Sequence, residues 1–217
     1  MKKQQICILG STGSIGTQAL DVISQHSDLY EVYCLTANNS VEKLSEQAHK
    51  FKPAAVVIAN EEKYKELQDL LSDEPDIKVY AGKSALEQIV EAEPIDMVLA
   101  SMVGFSGFLP TINAIKAHKK NCLANKETLV VAGELICNLA KENHVSILPV
   151  DSEHSAIFQS IVGDADNEIE KILLTCSGGP FRLYSEEQLK TVTAADALKH
   201  PTWNMGAKIT IDSASLM

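Results

Sequence analysis

Residues 8–16 read ILGSTGSIG, and this stretch decides the fold. A short apolar run ends at Leu9, glycines follow at Gly10, Gly13 and Gly16, and a stretch with helical periodicity begins there. A glycine turn between a strand and a helix directs backbone N–H groups at an anion such as a cofactor pyrophosphate. The spacing is GxxGxxG and not GxGxxG, so a plain strand-to-helix turn stays open as the alternative.

Outward from this turn, short Val-, Ile- and Leu-rich runs alternate with longer amphipathic stretches up to residue 150. This alternation predicts an α/β fold with a Rossmann-like, doubly wound parallel sheet over residues 1–150. The predicted strands are Ile6–Leu9, Glu31–Thr36, Ala54–Ala59, Lys78–Tyr80, Ile95–Ala100, Asn121–Ala124 and Val145–Val150. The predicted helices are Gly16–Gln25, Val41–His49, Glu61–Leu71, Ser84–Glu91, Leu109–Ala117 and Lys126–Asn143.

The alternation stops after Val150, and a second domain is predicted over residues 151–217. Its patterns predict strands of a different sheet at Glu168–Thr175 and Ala207–Ser213, as in the start of an α+β domain. The sequence stops at Met217, directly after the last of these patterns. We therefore expect the second domain to be incomplete.

The 217 residues carry a formal net charge of −10, which argues against nucleic acid or an anionic membrane as the main partner. The five cysteines form no CxxC pair, and this usage is typical of a reducing compartment. We find neither a signal-peptide core nor an apolar run of membrane-spanning length. These observations predict a cytoplasmic location.

Residues 35–40, LTANNS, follow the second predicted strand, where an NAD-specific site usually supplies an acid to the ribose hydroxyls. This segment contains no acid, which favours NADP over NAD. It also contains no base, since the first one after it is Lys43.

Two polar segments follow the sixth and seventh predicted strands. Asp151 and Glu153 are two residues apart, and on an extended chain they point to the same side, so they can converge on one hard cation. An N-cap with acids near the helix dipole is the open alternative. Lys126 is available to an anionic or carbonyl substrate, against the alternative of a solvated helix start.

Two loops of the second domain have the composition of binding segments. Residues 175–180, TCSGGP, can turn successive N–H groups toward a phosphate, although a plain tight turn fits equally well. Residues 200–206, HPTWNMG, place the single tryptophan beside His200 in a segment that could close over a ligand. A tryptophan in the core is the alternative.

Six segments in order, GSTGSIG, ANKE, PVDSEHSAIFQ, SGGPFR, HPTWNMG and KITIDSASLM, together closely resemble the 1-deoxy-D-xylulose 5-phosphate reductoisomerase family. The resemblance implies an enzyme dependent on NADPH and on Mg²⁺ or Mn²⁺, with Co²⁺ as a further candidate, and usually a homodimer. It implies isomerisation and reduction of this sugar phosphate to 2-C-methyl-D-erythritol 4-phosphate, in isoprenoid biosynthesis by the non-mevalonate pathway. Family chains continue beyond the position of Met217, so we expect this chain alone to be inactive.

The resemblance also assigns roles to individual residues. It implies cofactor contacts at Thr12, Gly13, Ser14, Ile15, Ala37, Asn38, Asn39, Asn125, Glu127 and Gly206. It implies metal ligation by Asp151 and Glu153, and catalytic roles for Lys126, Glu153 and His200. The implied substrate contacts are Lys126, Ser152, Glu153, Ser177, His200 and Ser213.

Two other function classes fit parts of the sequence. A different NADP-dependent dehydrogenase would keep the glycine turn but has no need of the DSEH segment. A dinucleotide-binding or assembly module without catalysis would need the first domain alone. Loss of all activity with a chelator would separate a metal-dependent enzyme from both.

Overall fold

Seven parallel strands form one sheet in the computed structural model, which describes residues 2–163, 167–175, 178–204 and 206–214. The strand order is β4-β3-β2-β1-β5-β6-β7, so the direction of winding reverses between β1 and β5. The strands are β1 (Gln4–Leu9), β2 (Tyr30–Ala37), β3 (Ala55–Ile58), β4 (Lys78–Ala81), β5 (Met97–Ala100), β6 (Lys120–Leu123) and β7 (Ile147–Pro149). The predicted doubly wound sheet is confirmed, and its crevice lies at the carboxyl ends of β1 and β5.

Helices connect the strands and cover both faces of the sheet. They are α1 (Ser14–Gln25), α2 (Val41–Phe51), α3 (Tyr64–Leu70), α4 (Lys83–Ile89), α5 (Phe108–Lys116), α6 (Glu127–Glu142) and α7 (Ser152–Ile161). Two short 3₁₀ turns, Glu61–Lys63 and Gly104–Gly107, precede α3 and α5.

The core lies on both sides of the sheet because consecutive residues of a strand point to opposite faces. Ile8 packs in the cluster that contains Leu20 of α1 and Leu44 of α2, whereas its neighbour Leu9 packs with Leu86 of α4 and Ala114 of α5. Strand β3 is therefore buried at all four positions and reads as an unbroken apolar run.

The chain divides into two compact units, Met1–Val162 and Gly163–Met217. The first unit includes α7, which packs against β7, and so extends past Val150. A functional boundary at Val150 stays a prediction.

The second unit contains three short helices among its described residues, α8 (Glu186–Leu189), α9 (Ala194–Ala197) and α10 (Ala207–Asp212). Both strands predicted here are wrong. Residues 207–212 are helical, because the carbonyl of Gly206 accepts the N–H of Thr210 and closes a helical turn. Residues 168–175 form no strand, since no described segment pairs with them and their apolar side chains are exposed.

No helix in the described part of the chain combines the length and the apolar character needed to cross a bilayer.

Candidate cofactor and metal site

Four of the predicted site segments lie at one edge of the sheet. The glycine turn follows β1, residues 37–39 end or follow β2, residues 125–127 follow β6, and residues 151–153 follow β7. All four strands are parallel, so their carboxyl ends share this edge. The fold thereby brings the predicted cofactor residues and the predicted metal ligands of the first unit to the same side.

The glycine turn depends on close backbone approaches. Gly10 has φ of +82°, and a Cβ there would lie 3.1 Å from the carbonyl oxygen of Ser101, after β5. At Gly16 a Cβ would lie 2.5 Å from the carbonyl oxygen of Gly10. Only glycine fits at either position without a shift of the backbone.

The start of α1 offers several unpaired donors. The amide N–H groups of Thr12, Ser14, Ile15 and Gly16 have no acceptor among the residues that the structure describes. Gly13 is the N-cap and the first turn contains no acid. The helix dipole and these N–H groups together favour an anion, as the sequence predicts.

Buried side chains hold the turn in place. Ser11 is fully buried, its hydroxyl donates to Gln47 Oε1 at 2.7 Å, and Gln47 Nε2 donates to the Ser11 carbonyl at 2.9 Å. The hydroxyl of Thr36 accepts the N–H of Gly10 at 2.9 Å. The position of the amide groups is therefore fixed by β2 and α2 without a ligand.

The segment after β2 carries no charged side chain, and hydrogen bonds from the segment after β3 hold it in place. Ala37 is buried, whereas Asn38 and Asn39 are exposed. Asn60, which follows β3, donates its side-chain amide to Asn39 Oδ1 at 2.8 Å and its N–H to the Asn38 carbonyl at 3.1 Å. Asn60 thus sets the path of the predicted ribose-binding residues.

Asn125 is buried, and hydrogen bonds within the protein occupy both ends of its side-chain amide. Its Nδ2 donates to the carbonyls of Met102 and Gly104 at 2.7 and 2.8 Å, and its Oδ1 accepts from the N–H and hydroxyl of Thr128. The side chain ties the loop after β5 to the start of α6. A cofactor contact from this side chain would have to share those bonds.

Lys126 and Asp151 form an ion pair across β6 and β7, with Nζ 2.9 Å from Oδ2. The other oxygen of Asp151 lies 2.7 Å from His154 Nδ1. Burial raises the pKa of Asp151, but hydrogen bonds from Lys126 and His154 outweigh it and lower that pKa to about 2. The same bond raises the pKa of Lys126, so both groups are charged at neutral pH.

The geometry that motivates the metal prediction is wrong in one respect. Residues 151–153 are not an extended strand, because β7 ends at Pro149, Asp151 is the N-cap of α7 and Glu153 lies in its first turn. Asp151, Glu153 and His154 do not each bring a ligand atom within 4.8 Å of the others. The alternative that the segment is a helix N-cap is therefore correct for the backbone conformation. Metal ligation by Asp151 and Glu153 stays a prediction.

Two neighbours of these residues occupy the starts of α6 and α7. Glu127 is the first residue of α6, where a carboxylate interacts favourably with the helix dipole. Ser152, the first residue of α7, donates its hydroxyl to Glu153 Oε2 at 2.9 Å.

In the second unit, His200 organises the predicted closing segment. Its Nδ1 accepts the N–H groups of Thr202 and Trp203 at 3.2 and 3.0 Å, so the neutral ring carries its proton on Nε2. A cleft of about 360 Å³ is lined by residues 198–204 and Thr210. Trp203 is 60% exposed, so the core alternative for this tryptophan is wrong.

Gly179 and Ser213 are brought together in the same unit. A Cβ at Gly179 would lie 2.0 Å from the Ser213 carbonyl oxygen, and φ is +54° there. The N–H of Phe181 donates to the Ala214 carbonyl at 3.3 Å. Ser177 lies outside the described residues, as does Met205, whereas Gly206 is exposed and directly precedes α10.

Sequence reasoning missed four residues that shape this edge: Lys43, Asn60, Ser101 and His154. The hydroxyl of Ser101 donates to the carbonyl of Leu9 at 2.6 Å, and Leu9 is the residue directly before the glycine turn. The strand order places the end of β5 beside β1, so a prediction of that order would have identified Ser101. Lys43 and His154 lie within or beside segments that the sequence singles out, but nothing local predicts their contacts, and nothing local marks Asn60.

Two family models match successive parts of the chain. A family model described as 1-deoxy-D-xylulose 5-phosphate reductoisomerase matches residues 6–133, and one for the C-terminal domain of that enzyme matches residues 147–217. The reductoisomerase of Phocaeicola vulgatus is 70% identical over 99% of this chain, and that of Bacteroides thetaiotaomicron is 68% identical over 100%. These alignments cover 56% and 55% of the two relatives, so the chain spans about half of their length.

Solved structures give the same result. The chain is similar, with a TM-score of 0.89 and 38% identity, to the reductoisomerase of Zymomonas mobilis in complex with NADPH, over 98% of this chain and 54% of that one. A second reductoisomerase structure, in complex with NADPH, fosmidomycin and magnesium, has a TM-score of 0.85 and 38% identity, over 97% and 54% of the two chains.

Proposed function

The chain belongs to the 1-deoxy-D-xylulose 5-phosphate reductoisomerase family, and we propose that it forms the NADPH-binding part and the beginning of the catalytic part of such an enzyme. The complete enzyme would isomerise and reduce 1-deoxy-D-xylulose 5-phosphate to 2-C-methyl-D-erythritol 4-phosphate. One observation carries this proposal: unpaired amide groups at α1 and charged groups after β6 and β7 share one edge of the sheet.

The residues at α1 fit the pyrophosphate of NADPH. The unpaired N–H groups of Thr12, Ser14, Ile15 and Gly16 supply donors. The absence of a side chain at Gly16 permits the tight turn that presents them. Asn38 and Asn39 would lie at the adenosine ribose. We propose further contacts at Glu127, at Gly206 and, through its backbone, at Asn125. When bound, NADPH supplies the hydride for the reduction.

The donor set after β7 fits a hard divalent cation. Asp151 is held ionised, and Glu153 adds a second carboxylate, so oxygen ligands of the kind that Mg²⁺ or Mn²⁺ prefers are present. Co²⁺ is a further candidate. When bound, the metal would stabilise negative charge on the substrate oxygens.

Side chains of this chain would bind and orient the substrate. Lys126 is half-exposed and its cation can stabilise an oxyanion while it stays paired with Asp151. His200 would contact a substrate oxygen. Ser152, Ser177 and Ser213 would supply hydroxyl contacts, and Trp203 would help to exclude water.

Two further properties are part of the proposal. The enzyme would be a cytoplasmic homodimer. Its location is supported by Cys7 and Cys34, which lie side by side in β1 and β2 as free buried thiols. Burial raises the pKa of Cys34 well above its usual range, which suits a residue that stays reduced. The net charge of −10 supports a small-molecule substrate and not nucleic acid.

The test compares this 217-residue chain with a completed chain, in which the carboxyl-terminal remainder of the P. vulgatus relative follows Met217. We expect the 217-residue chain to bind NADPH by calorimetry but not to oxidise it with deoxyxylulose phosphate and Mg²⁺. The completed chain should turn over and should lose activity with a chelator. Absence of NADPH binding by both chains, or turnover that survives the chelator, would overturn the proposal.

A further inference from the structure

Lys43 lies between the glycine turn and the end of β2. It is the third residue of α2, and its Nζ donates to the carbonyl oxygen of Thr12 at 2.7 Å, across 31 positions of sequence. The side chain therefore connects the predicted pyrophosphate-binding turn with the segment where a dinucleotide places its adenosine ribose. A ligand-binding role for Lys43 at this place depends on the proposed NADPH site.

The position of this lysine is unfavourable for the helix alone. The first turn of a helix carries a partial positive charge, so an acid stabilises it and a cation does not. Glu42, the preceding residue, obeys this rule and Lys43 does not. Its hydrogen bond to Thr12 is exposed, and exposed bonds of this kind contribute little to folding. The stability of the fold therefore does not explain why position 43 carries a lysine.

The ammonium group keeps donors for a ligand. It has three N–H groups, and one of them is used by Thr12. No other acceptor contacts Lys43 within the described ranges. The remaining two N–H groups and the full charge can bind a phosphate.

Competing cations are absent from the segment after β2. Asn38, Asn39 and Ser40 are neutral, and Lys63, at the end of the turn after β3, is paired with Glu66 at 2.8 Å. We propose that Lys43 is the specificity-determining residue that binds the 2′-phosphate of NADPH. It would distinguish NADPH from NADH, whose 2′-hydroxyl carries no charge.

The experiment measures binding of NADPH, NADH, 2′,5′-ADP and 5′-ADP by calorimetry to the 217-residue chain and to its Lys43→Met variant. Loss of a charged hydrogen bond to phosphate should weaken NADPH and 2′,5′-ADP by roughly tenfold or more. The affinities for NADH and 5′-ADP should stay within about twofold. Lys50→Met is the matched control, since it removes the same charge from the last turn of α2, about 10 Å away.

Each outcome decides the question. Equal weakening of all four ligands would assign Lys43 to the shape of the glycine turn and overturn the proposal, as would no weakening or an equal effect of Lys50→Met. If the unaltered chain binds neither NADPH nor NADH, the proposed function itself fails. Melting curves that coincide for both variants and the unaltered chain exclude unfolding as the cause of a selective loss.

Discussion

Lys126 Nζ lies 2.9 Å from Asp151 Oδ2, so the cation that follows β6 is paired with the carboxylate that follows β7. The pairing follows from the sheet, because Leu123 and Pro149 are in register and Val150 donates to the Leu123 carbonyl at 3.0 Å. A metal ion that approaches Asp151 must share this carboxylate with the ammonium group. The proposed substrate-binding cation and the proposed metal-binding carboxylate are therefore paired with each other in this structure.

Removal of Lys126 should strengthen metal binding in the 217-residue chain and should abolish turnover in the completed chain. Lys126→Met frees one oxygen of Asp151 and removes a like charge next to the cation, so we expect Mn²⁺ to bind several-fold more tightly. Asp151→Asn should weaken Mn²⁺ binding. Electron paramagnetic resonance of free Mn²⁺ measures both in the 217-residue chain.

Lys120→Met is the matched control, because Lys120 is exposed at the opposite end of β6. Equal Mn²⁺ affinity in Lys126→Met and the unaltered chain would contradict the assignment of Asp151 as a ligand.

Gly16→Ala should disrupt the proposed cofactor site. The added methyl would lie 2.5 Å from the Gly10 carbonyl oxygen, so the turn must shift, at a cost of about 1–3 kcal/mol in the free energy of unfolding. We expect NADPH affinity to fall with it. Gly133→Ala in α6 is the control, since its methyl would meet no atom closer than 3.9 Å. Denaturant unfolding and calorimetry report the two effects, and an unchanged NADPH affinity in Gly16→Ala would exclude the turn as the binding site.

The sheet could be predicted from the sequence because parallel strands covered on both faces are continuous apolar runs. Strand β3, four consecutive buried residues, is the clearest case. The pattern at Ala207–Ser213 is different: apolar and polar residues alternate there, yet the segment forms α10. Alternation over so few residues fits either a strand or a helix. The hydrogen bond from the N–H of Thr210 to the carbonyl of Gly206 shows that the segment is a helix.

The site was predictable where strand ends alone determine it. The glycine turn and the segments after β6 and β7 each follow a predictable strand. The contacts between them depend on strand order and on side-chain reach. Lys43 meets Thr12 only because β2 pairs with β1, and His154 meets Asp151 only because a helix starts at Ser152. Neither contact can be predicted from the spacing of residues in the local sequence.

Asn121→Val should stabilise the chain. Asn121 is fully buried on β6, and neither polar atom of its side chain has a partner among the described residues. A buried amide without hydrogen bonds costs about 1–3 kcal/mol, and valine suits a strand covered on both faces. We expect the free energy of unfolding to rise by about 1–2 kcal/mol, measured by denaturant titration. Asn113→Val is the contrast, because Asn113 donates to the Glu87 carbonyl at 3.0 Å and its loss should destabilise. A lower stability of Asn121→Val would mean that the amide has a partner.

The pair of His49 and Asp73 should give the chain a pH-dependent stability. His49 Nε2 lies 3.1 Å from Asp73 Oδ1 and its Nδ1 lies 2.8 Å from the Ser45 carbonyl oxygen. Both partners are acceptors, so both ring nitrogens must donate, which only the protonated ring can do. The hydrogen bond with Asp73 is the main cause that raises the pKa of His49, and it also lowers the pKa of Asp73.

The signs of these shifts define a pH window. Because the pKa of His49 is raised on folding, its contribution is complete below the unfolded value of about 6.5 and is lost as pH rises through the folded value. Because the pKa of Asp73 is lowered, its contribution is complete above the unfolded value of about 3.9 and is lost as pH falls through the folded value. We expect the melting temperature of His49→Gln to lie furthest below that of the unaltered chain near pH 5, and the difference to shrink by pH 9. Asp73→Asn should give the same profile, and the double variant should add nothing further, since both remove one interaction. A difference that is constant from pH 5 to pH 9 would show that His49 acts by packing and not through its charge.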